Sequence, residues 1–239
     1  MRWIPKDARP YPLPRAVSQA PASIPFLHPG IGSGKSLYLV RHAEVREDYQ
    51  GRAYGNLDVP LSEEGERESE AMAERLAALG PDRVLSSPLA RARHLGERAA
   101  ERAGVPLELE ADLTEIHRGS WQGRRVSELS LEVPEQVERF YADPWTFKDH
   151  GGECDAELSE RVFRVVDRIL DGPGERIVLA THYNVIRVLV AGALGLPAPT
   201  SFALRIDPAR SALVVDRDDG WHLAFSNLDR PRPDPGPSH

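Results

Sequence analysis

The amino-acid sequence predicts an α/β fold, a three-layer sandwich whose mostly parallel central sheet has helices on both faces. Two segments, 36–42 and 177–181, are almost continuously apolar, which is typical of strands buried on both faces. Amphipathic helical segments alternate with such strands through most of the chain. Three short strand-like runs then follow one another after residue 200, which predicts an antiparallel strand addition near the C-terminus.

The first half of the predicted domain contains three strands and two helices. Ser62 is a suitable N-cap for the first helix, whose apolar face carries Met72 and Leu76 at helical spacing. Pro88 precedes the second helix and Gly104 ends it, because glycine adopts the left-handed conformation that closes many helices. In chain order we predict a strand at 36–42, a helix at 63–79, a strand at 83–86, a helix at 89–103 and a strand at 107–109.

The second half begins with a polar, glycine-containing loop at 113–128 that leads into a weak helical pattern at 126–142. The next helix has Leu158 and Ile169 on its apolar face and must end at the Gly172-Pro173-Gly174 sequence, which no helix can cross. We then predict a strand at 177–181, a buried helix at 185–194, and short strands at 201–207, 211–216 and 221–226 with a turn at 216–220.

The proline distribution divides the 239-residue chain into one domain and two tails. Eleven of the 21 prolines lie before residue 36 or after residue 228. Proline cannot donate a backbone hydrogen bond and disfavours helix at the preceding residue, so regular structure is not expected at either end. We therefore expect a proline-rich N-terminal extension at 1–35, one domain at 36–228 and a proline-rich C-terminal tail at 229–239.

Charge and composition restrict the function classes. The chain carries 30 basic and 37 acidic residues, and its net charge of −7 opposes broad electrostatic binding to nucleic acid or to an anionic membrane. No apolar run matches a secretory signal or a membrane span. The single cysteine, Cys154, cannot form an internal disulfide, so a cytoplasmic location is expected. These features leave the oligomeric state unknown.

Three strand ends place basic side chains at one edge of the predicted sheet. Arg41 and His42 end the first strand, His182 directly follows a later apolar strand, and Arg91 begins a helix after another. Ligands in such folds bind beyond the carboxyl ends of the strands, so these side chains are expected to converge. A cluster of cations needs an anion, and arginine together with a helix N-terminus suits phosphate. The alternative is a buried network that only ties the strand ends together.

Five motifs in order resemble those of the histidine phosphatase superfamily, the phosphoglycerate mutase-like group. The segment Leu39-Val40-Arg41-His42-Ala43-Glu44 is similar to the signature of that family. The likeness extends over about 36–226, so the resemblance does not rest on any single motif. The other four motifs are at 58–65, at 87–92, at 113–115 with 119–123, and at 181–182 with 186–187.

The resemblance implies a role for each residue of the cluster. His42 would be the nucleophile that becomes phosphohistidine, while Arg41, Arg91 and His182 would bind the phosphoryl oxygens. Glu115 would protonate the leaving oxygen and then activate water. The domain would be a metal-independent phosphatase without a cofactor, acting on a small phosphorylated metabolite.

Several positions depart from the family pattern or leave alternatives open. Asp48 replaces a common asparagine and Tyr183 a common glycine, and both are expected to contact substrate, although loop or packing roles compete evenly with that expectation. Arg118 and Arg124 could steer an anionic substrate or could be solvated surface arginines. The Gly32–Ser36 run resembles a phosphate-binding loop but precedes a strand, where a flexible entry to that strand is expected instead.

Two other functions compete with a phosphatase. A phosphoglycerate mutase of this group would carry a longer insert between the acid and the second histidine, whereas 67 positions separate Glu115 from His182. A non-catalytic phospholigand-binding protein would be expected to have lost His42 or Glu115, and both are present. The sequence His150-Gly151-Gly152-Glu153-Cys154 could be drawn as a metal site, but it has no matching second cluster, so no metal is expected.

Overall fold

A computed structural model describes Ile24 and residues 31–236, so most of the predicted N-terminal extension lies outside the described residues. One six-stranded sheet has the strand order β3-β2-β4-β1-β5-β6. The four strands at one side are parallel, and β5 and β6 are added antiparallel, which confirms the predicted fold class. The strands are β1 (Ser36–Arg41), β2 (Arg83–Ser86), β3 (Leu107–Leu109), β4 (Arg176–Thr181), β5 (Ser211–Arg217) and β6 (Gly220–Leu228).

Helices cover both faces of this sheet. The side chains of β1 alternate between two apolar cores, as expected for a strand buried on both sides. Leu37 and Leu39 belong to the core that contains α5 and α6, whereas Tyr38 and Val40 belong to the core that contains α1 and α2. The helices are α1 (Glu63–Ala77), α2 (Ala90–Ala103), α3 (Val126–Glu132), α4 (Pro134–Ala142), α5 (Asp155–Asp171) and α6 (Tyr183–Ala193).

The start of α1 packs against the loop that follows β1. Ser62 caps the helix as predicted, because its Oγ accepts a hydrogen bond from the Gly65 amide at 3.0 Å. A Cβ at Gly65 would lie 2.0 Å from the carbonyl oxygen of Glu44, so only glycine allows this approach. The contact holds the loop containing His42 against the sheet.

The weak helical pattern at 126–142 forms two helices rather than one. Pro134 begins α4 and cannot donate to the preceding turn, so α3 ends at Glu132. These helices contribute to a small, mostly aromatic cluster. Its buried members are Trp121, Leu129, Phe140, Tyr141 and Phe147.

The predicted strand at 201–207 is wrong. Residues Ala198–Ala203 form a 3-10 helix, and the segment after them runs as an irregular loop to β5. The apolar residues of this segment pack on α6. Its polar groups form hydrogen bonds with side chains instead of with a neighbouring strand. Ser201 Oγ accepts from Arg187 at 2.7 Å, and the carbonyl of Ile206 accepts from Arg41 at 2.6 Å. Pro208 also lacks the amide that a strand ladder needs.

The register of the sheet aligns the ends of β1, β4 and β2. The His42 amide donates to the carbonyl of Thr181 at 2.9 Å, and the Ser87 amide donates to the carbonyl of Ala180 at 3.0 Å. The residues that follow these three strands therefore emerge side by side at the carboxyl edge of the sheet.

Residues 31–35 form hydrogen bonds with the body of the domain. Lys35 Nζ donates to the carbonyls of Gly172 and Gly174 at 2.8 and 2.6 Å, and Ser33 Oγ donates to Asp216 at 2.6 Å. The expected flexible entry is thus a braced turn at the start of β1. In the part of the chain that the structure describes, no helix is both long and apolar enough to cross a membrane.

Candidate active site

His42 follows β1, and one of its ring nitrogens carries no proton. Its Nδ1 lies 2.8 Å from the carbonyl oxygen of Ala43. A carbonyl can only accept a hydrogen bond, so Nδ1 carries the proton and Nε2 keeps a lone pair. The side chain is 2% exposed, and burial, followed by the charges of Arg91 and Arg41, holds its pKa well below the usual value. His42 is therefore a neutral imidazole at neutral pH.

His182 lies beside it at the end of β4, immediately before α6. The two imidazole centroids are 5.2 Å apart. Burial and the neighbouring positive charges also keep the pKa of His182 well below its usual value. Its Nε2 lies 2.8 Å from Ser87 Oγ, whereas its Nδ1 is buried without a partner among the described residues.

Ser87 determines which nitrogen of His182 carries a proton. The Leu89 amide donates to Ser87 Oγ at 3.3 Å, and no other described group is placed to accept the serine hydroxyl hydrogen. If the hydroxyl donates to Nε2 of His182, then Nδ1 is the protonated nitrogen. Sequence reasoning missed this residue as a site residue, although it lies inside the motif that supplies Arg91.

Two guanidiniums face the histidines without a carboxylate partner among the described residues. Arg91 is fully buried and donates to the carbonyls of Leu57 and Gly55 at 2.6 and 2.8 Å. Arg41 donates to the carbonyl of Ile206 at 2.6 Å. The Nε atoms of both arginines are buried and unpartnered in the described chain. These two Nε–H groups and His182 Nδ1–H are three buried donors that an anion would satisfy.

Two tyrosines pack on these guanidiniums. Tyr54 lies 5.1 Å from Arg91 and Tyr183 lies 5.5 Å from Arg41, each measured from the guanidinium carbon to the ring centroid. Cation–π contact of this kind orients an arginine without neutralising it. The substrate contact of Tyr183 stays a prediction, and the structure places this residue at the cluster. Tyr54 was not among the predicted residues.

Glu115 supplies the carboxylate of the cluster. It is 6% exposed, and its oxygens accept from the amides of Ile116 at 2.9 Å and of Asn184 at 3.4 Å. Asn184 belongs to the first turn of α6, so the helix that begins after His182 also holds the acid. Electrostatic interaction between Glu115 and Arg91 places both charges at the same site.

A buried ion pair anchors the start of α6. Arg187 donates to both carboxylate oxygens of Asp155 at 2.7 and 2.6 Å, and both side chains are completely buried. The same guanidinium donates to Asn184 Oδ1 at 3.1 Å. The pair therefore connects α5 to the residue that holds Glu115.

Asp48 is not brought to the cluster. Its exposed carboxylate forms an ion pair with Arg46 at 2.6 Å, and this ion pair lowers the pKa of Asp48. Its contact with substrate stays a prediction that this arrangement does not favour.

The residues that resembled a metal site serve the backbone and the aromatic cluster. His150 Nδ1 accepts from the Gly152 amide at 3.0 Å, and burial lowers the pKa of this histidine to about 4. Cys154 Sγ contacts Glu157 at 3.5 Å. Within residues 31–236 and Ile24, no group of three or more His, Cys, Asp or Glu side chains is arranged to hold a metal ion.

An open cleft of about 430 Å³ reaches Glu115 from the side of α5. Its two basic side chains are already neutralised, because Lys148 pairs with Glu157 and Arg161 pairs with Glu153. The unsatisfied positive charge is therefore at the histidine pair and not in this cleft.

Residues 37–229 match the histidine phosphatase superfamily (branch 1). The chain belongs to this superfamily. The match includes every residue of the cluster described above, from Arg41 to His182.

Relatives in the superfamily include both mutases and phosphatases. A Cronobacter sakazakii protein named probable phosphoglycerate mutase GpmB is 33% identical over 186 residues, which cover 77% of this chain and 86% of the relative. A mycobacterial glucosyl-3-phosphoglycerate phosphatase superposes with a TM-score of 0.73 at 28% identity, covering 81% of this chain and 99% of that one. The alpha-ribazole phosphatase of Shigella flexneri superposes with a TM-score of 0.72 at 25% identity, covering 81% and 96%. The chain thus shares most of its length with proteins named for both activities.

Proposed function

We propose that this histidine phosphatase is a phosphomonoester hydrolase that acts through a phosphohistidine on His42. One observation carries the proposal: the buried neutral imidazole of His42 keeps its Nε2 lone pair free beside three unpartnered buried donors. A nucleophile is useful only when unprotonated, and a phosphoryl group is an anion that those donors suit.

In the first half of the reaction, Nε2 of His42 attacks phosphorus and the bond from phosphorus to the ester oxygen breaks. Arg41, Arg91 and Nδ1–H of His182 bind the three equatorial phosphoryl oxygens as charge moves onto them. Glu115 gives its proton to the departing oxygen, so the leaving group departs as a neutral alcohol.

In the second half, water attacks the phosphohistidine. Glu115, now ionised, accepts a proton from this water, and the phosphorus–nitrogen bond breaks. Inorganic phosphate leaves and His42 returns to its neutral form. The guanidiniums supply the charge stabilisation that metal ions supply in other phosphoryl transfers, so we propose that neither a metal nor a cofactor takes part.

The names of the relatives support a small phosphorylated metabolite as the substrate. The mycobacterial relative is a glucosyl-3-phosphoglycerate phosphatase and the Shigella relative an alpha-ribazole phosphatase. We propose a substrate of this size class for the present protein, without nucleic acid or membrane as a partner.

The decisive experiment measures phosphate release from p-nitrophenyl phosphate in excess EDTA. Turnover should persist with the chelator, disappear in His42→Ala, and be accompanied by an acid-labile phosphoenzyme in rapid-quench samples. Arg124→Ala, which changes an arginine paired with Glu132, is the matched control and should retain activity. Turnover by His42→Ala at the wild-type rate would refute the proposal.

Phosphoglycerate mutase activity is the second candidate, because the Cronobacter sakazakii relative is named a probable mutase. It predicts interconversion of 3- and 2-phosphoglycerate that depends on a bisphosphoglycerate primer. Exchange faster than phosphate release would assign the protein to that activity. Tight phosphate binding without any phosphoenzyme would instead favour a non-catalytic phospholigand-binding protein.

A further inference from the structure

Arg118 is a third arginine at the site that has no carboxylate partner among the described residues. Its Nη2 donates to Asn184 Oδ1 at 3.2 Å, while its Nη1 is buried and unpartnered within the described chain. Its guanidinium lies 4.9 Å from the ring centroid of Phe140, a contact that orients it but does not neutralise its charge. Arg118 as a whole is only partly buried, but a buried guanidinium N–H without a partner is unfavourable, so the arrangement favours an anionic ligand.

Two neighbouring residues, Asn184 and Gly55, place Arg118 next to the phosphoryl site. Asn184, which binds its guanidinium, also donates its backbone amide to the carboxylate of Glu115. The Arg118 stem lies on Gly55, where a Cβ would be 3.0 Å from its Cγ, and the carbonyl of Gly55 accepts from Arg91. Arg118 therefore shares one neighbouring residue with the proposed acid, Glu115, and another with a proposed phosphoryl-binding arginine, Arg91.

The Arg118 charge also acts on Tyr183. It is among the positive charges that lower the pKa of this phenol, opposing the larger effect of burial. Tyr183 in turn packs on Arg41. Arg118 thus belongs to the same group of charges as Arg41, and Asn184 connects it to Glu115, the proposed acid.

Arg124 can be compared with Arg118, because the sequence leaves the same two roles open for both, steering of an anionic substrate or solvation at the surface. Arg124 forms an ion pair with Glu132 and carries no buried unpartnered atom. Its charge is already compensated, whereas the charge of Arg118 is not. Of these two arginines, the structure therefore favours Arg118 as the one that binds a ligand.

We propose that Arg118, oriented by Asn184, binds a carboxylate on the leaving group, and that the preferred substrates are phosphomonoesters with this second anionic group. A single guanidinium edge suits a carboxylate, which carries one charge on two oxygens. A dianionic phosphate already has Arg41 and Arg91. This inference rests on the proposed phosphatase function and names the class of its substrate.

The test compares two substrates that differ in one group. Glycerol 3-phosphate has a hydroxymethyl group where 3-phosphoglycerate has a carboxylate, and kcat/KM is measured for both by phosphate release. The wild type should prefer 3-phosphoglycerate by about tenfold or more, the value of one charge-assisted hydrogen bond. Arg118→Met keeps the stem on Gly55 and Phe140, and it should reduce that preference to within about threefold of unity. Arg118→Lys should recover part of it, and Arg124→Ala should leave it unchanged.

The outcomes separate the two proposals. Equal loss of kcat/KM for both substrates in Arg118→Met, with an unchanged thermal unfolding midpoint, would show a structural role and overturn the subsite. A wild type that hydrolyses both substrates without preference would also overturn it while leaving the phosphatase intact. Absence of hydrolysis of every phosphomonoester by the wild type would refute the phosphatase proposal itself, and the subsite with it.

Discussion

Replacing Ser87 by alanine should impair catalysis through His182 without changing any group that touches the substrate. The hydroxyl of Ser87 is the partner of His182 Nε2 at 2.8 Å and fixes the proton on Nδ1. Without it, the neutral imidazole can move its proton to Nε2, and Nδ1 then turns a lone pair toward the phosphoryl oxygens. The transition state would lose one charge-assisted hydrogen bond, worth about 1.5–3 kcal/mol. That loss corresponds to a decrease in kcat of roughly 10- to 100-fold.

Ser86→Ala is the matched control. Ser86 is also completely buried, and its Oγ donates to the carbonyl of Ser87 at 2.9 Å rather than to the histidine. Both variants lose one buried hydroxyl, so a general loss of stability would affect them alike. Steady-state hydrolysis of p-nitrophenyl phosphate between pH 5 and 9 provides the assay. A kcat within twofold of wild type in Ser87→Ala, or an equal decrease in both variants, would refute the tautomer argument.

Three further predictions concern the histidine, the acid and the buried ion pair. Burial and two guanidiniums lower the pKa of His42, so its unprotonated form persists below the ordinary histidine pKa. The kcat/KM value should therefore stay level as the pH falls through 6.5 and decline only in more acidic buffer. A half-maximal kcat/KM at pH 6.5 would contradict this. Glu115→Gln should lower the rate of phosphoenzyme formation, measured by rapid quench, by about 10²–10⁴-fold for an alkyl phosphate and much less for p-nitrophenyl phosphate, whose leaving group needs no proton; an equal decrease of this rate for both substrates would exclude Glu115 as the acid. Asp155→Asn leaves Arg187 buried without its counter-charge and should lower the free energy of unfolding by about 3–5 kcal/mol, measured by urea denaturation; a change below 1 kcal/mol would contradict the role of the pair as an anchor.

The sequence predicted the sheet and its helices because their patterns are local. The burial of β1 on both faces, the Ser62 cap and the Gly104 terminator each depend on a few neighbouring residues, and each is confirmed. The strand predicted at 201–207 was wrong because the structure there depends on contacts made outside the segment. Its apolar residues match a strand, but its backbone binds Arg41 and its Ser201 binds Arg187, and both arginines are distant in sequence.

The site divides in the same way. Arg41, His42 and His182 could be placed from the ends of strands alone, because parallel strands bring their carboxyl ends together. Ser87 and Asn184 could not, since their roles depend on single hydrogen bonds to His182 and to Glu115 across the sheet. No sequence pattern distinguishes a polar residue that forms such a hydrogen bond from one that is simply solvated.

Burial and the charge of the site together explain why its histidines can be neutral in an acidic protein. The chain has a net charge of −7, yet Arg41 and Arg91 have only backbone carbonyls as hydrogen-bond partners among the described residues. The same two uncompensated charges act in two directions: they disfavour a proton on His42, which keeps the nucleophile available, and they attract the phosphoryl anion that this nucleophile would attack. A carboxylate hydrogen-bonded to either arginine would weaken both effects at once, because it would raise the pKa of His42 and compete with the substrate. The positioning of these guanidiniums by carbonyls and tyrosine rings, rather than by acids, is therefore the feature of the fold that makes the site chemically useful.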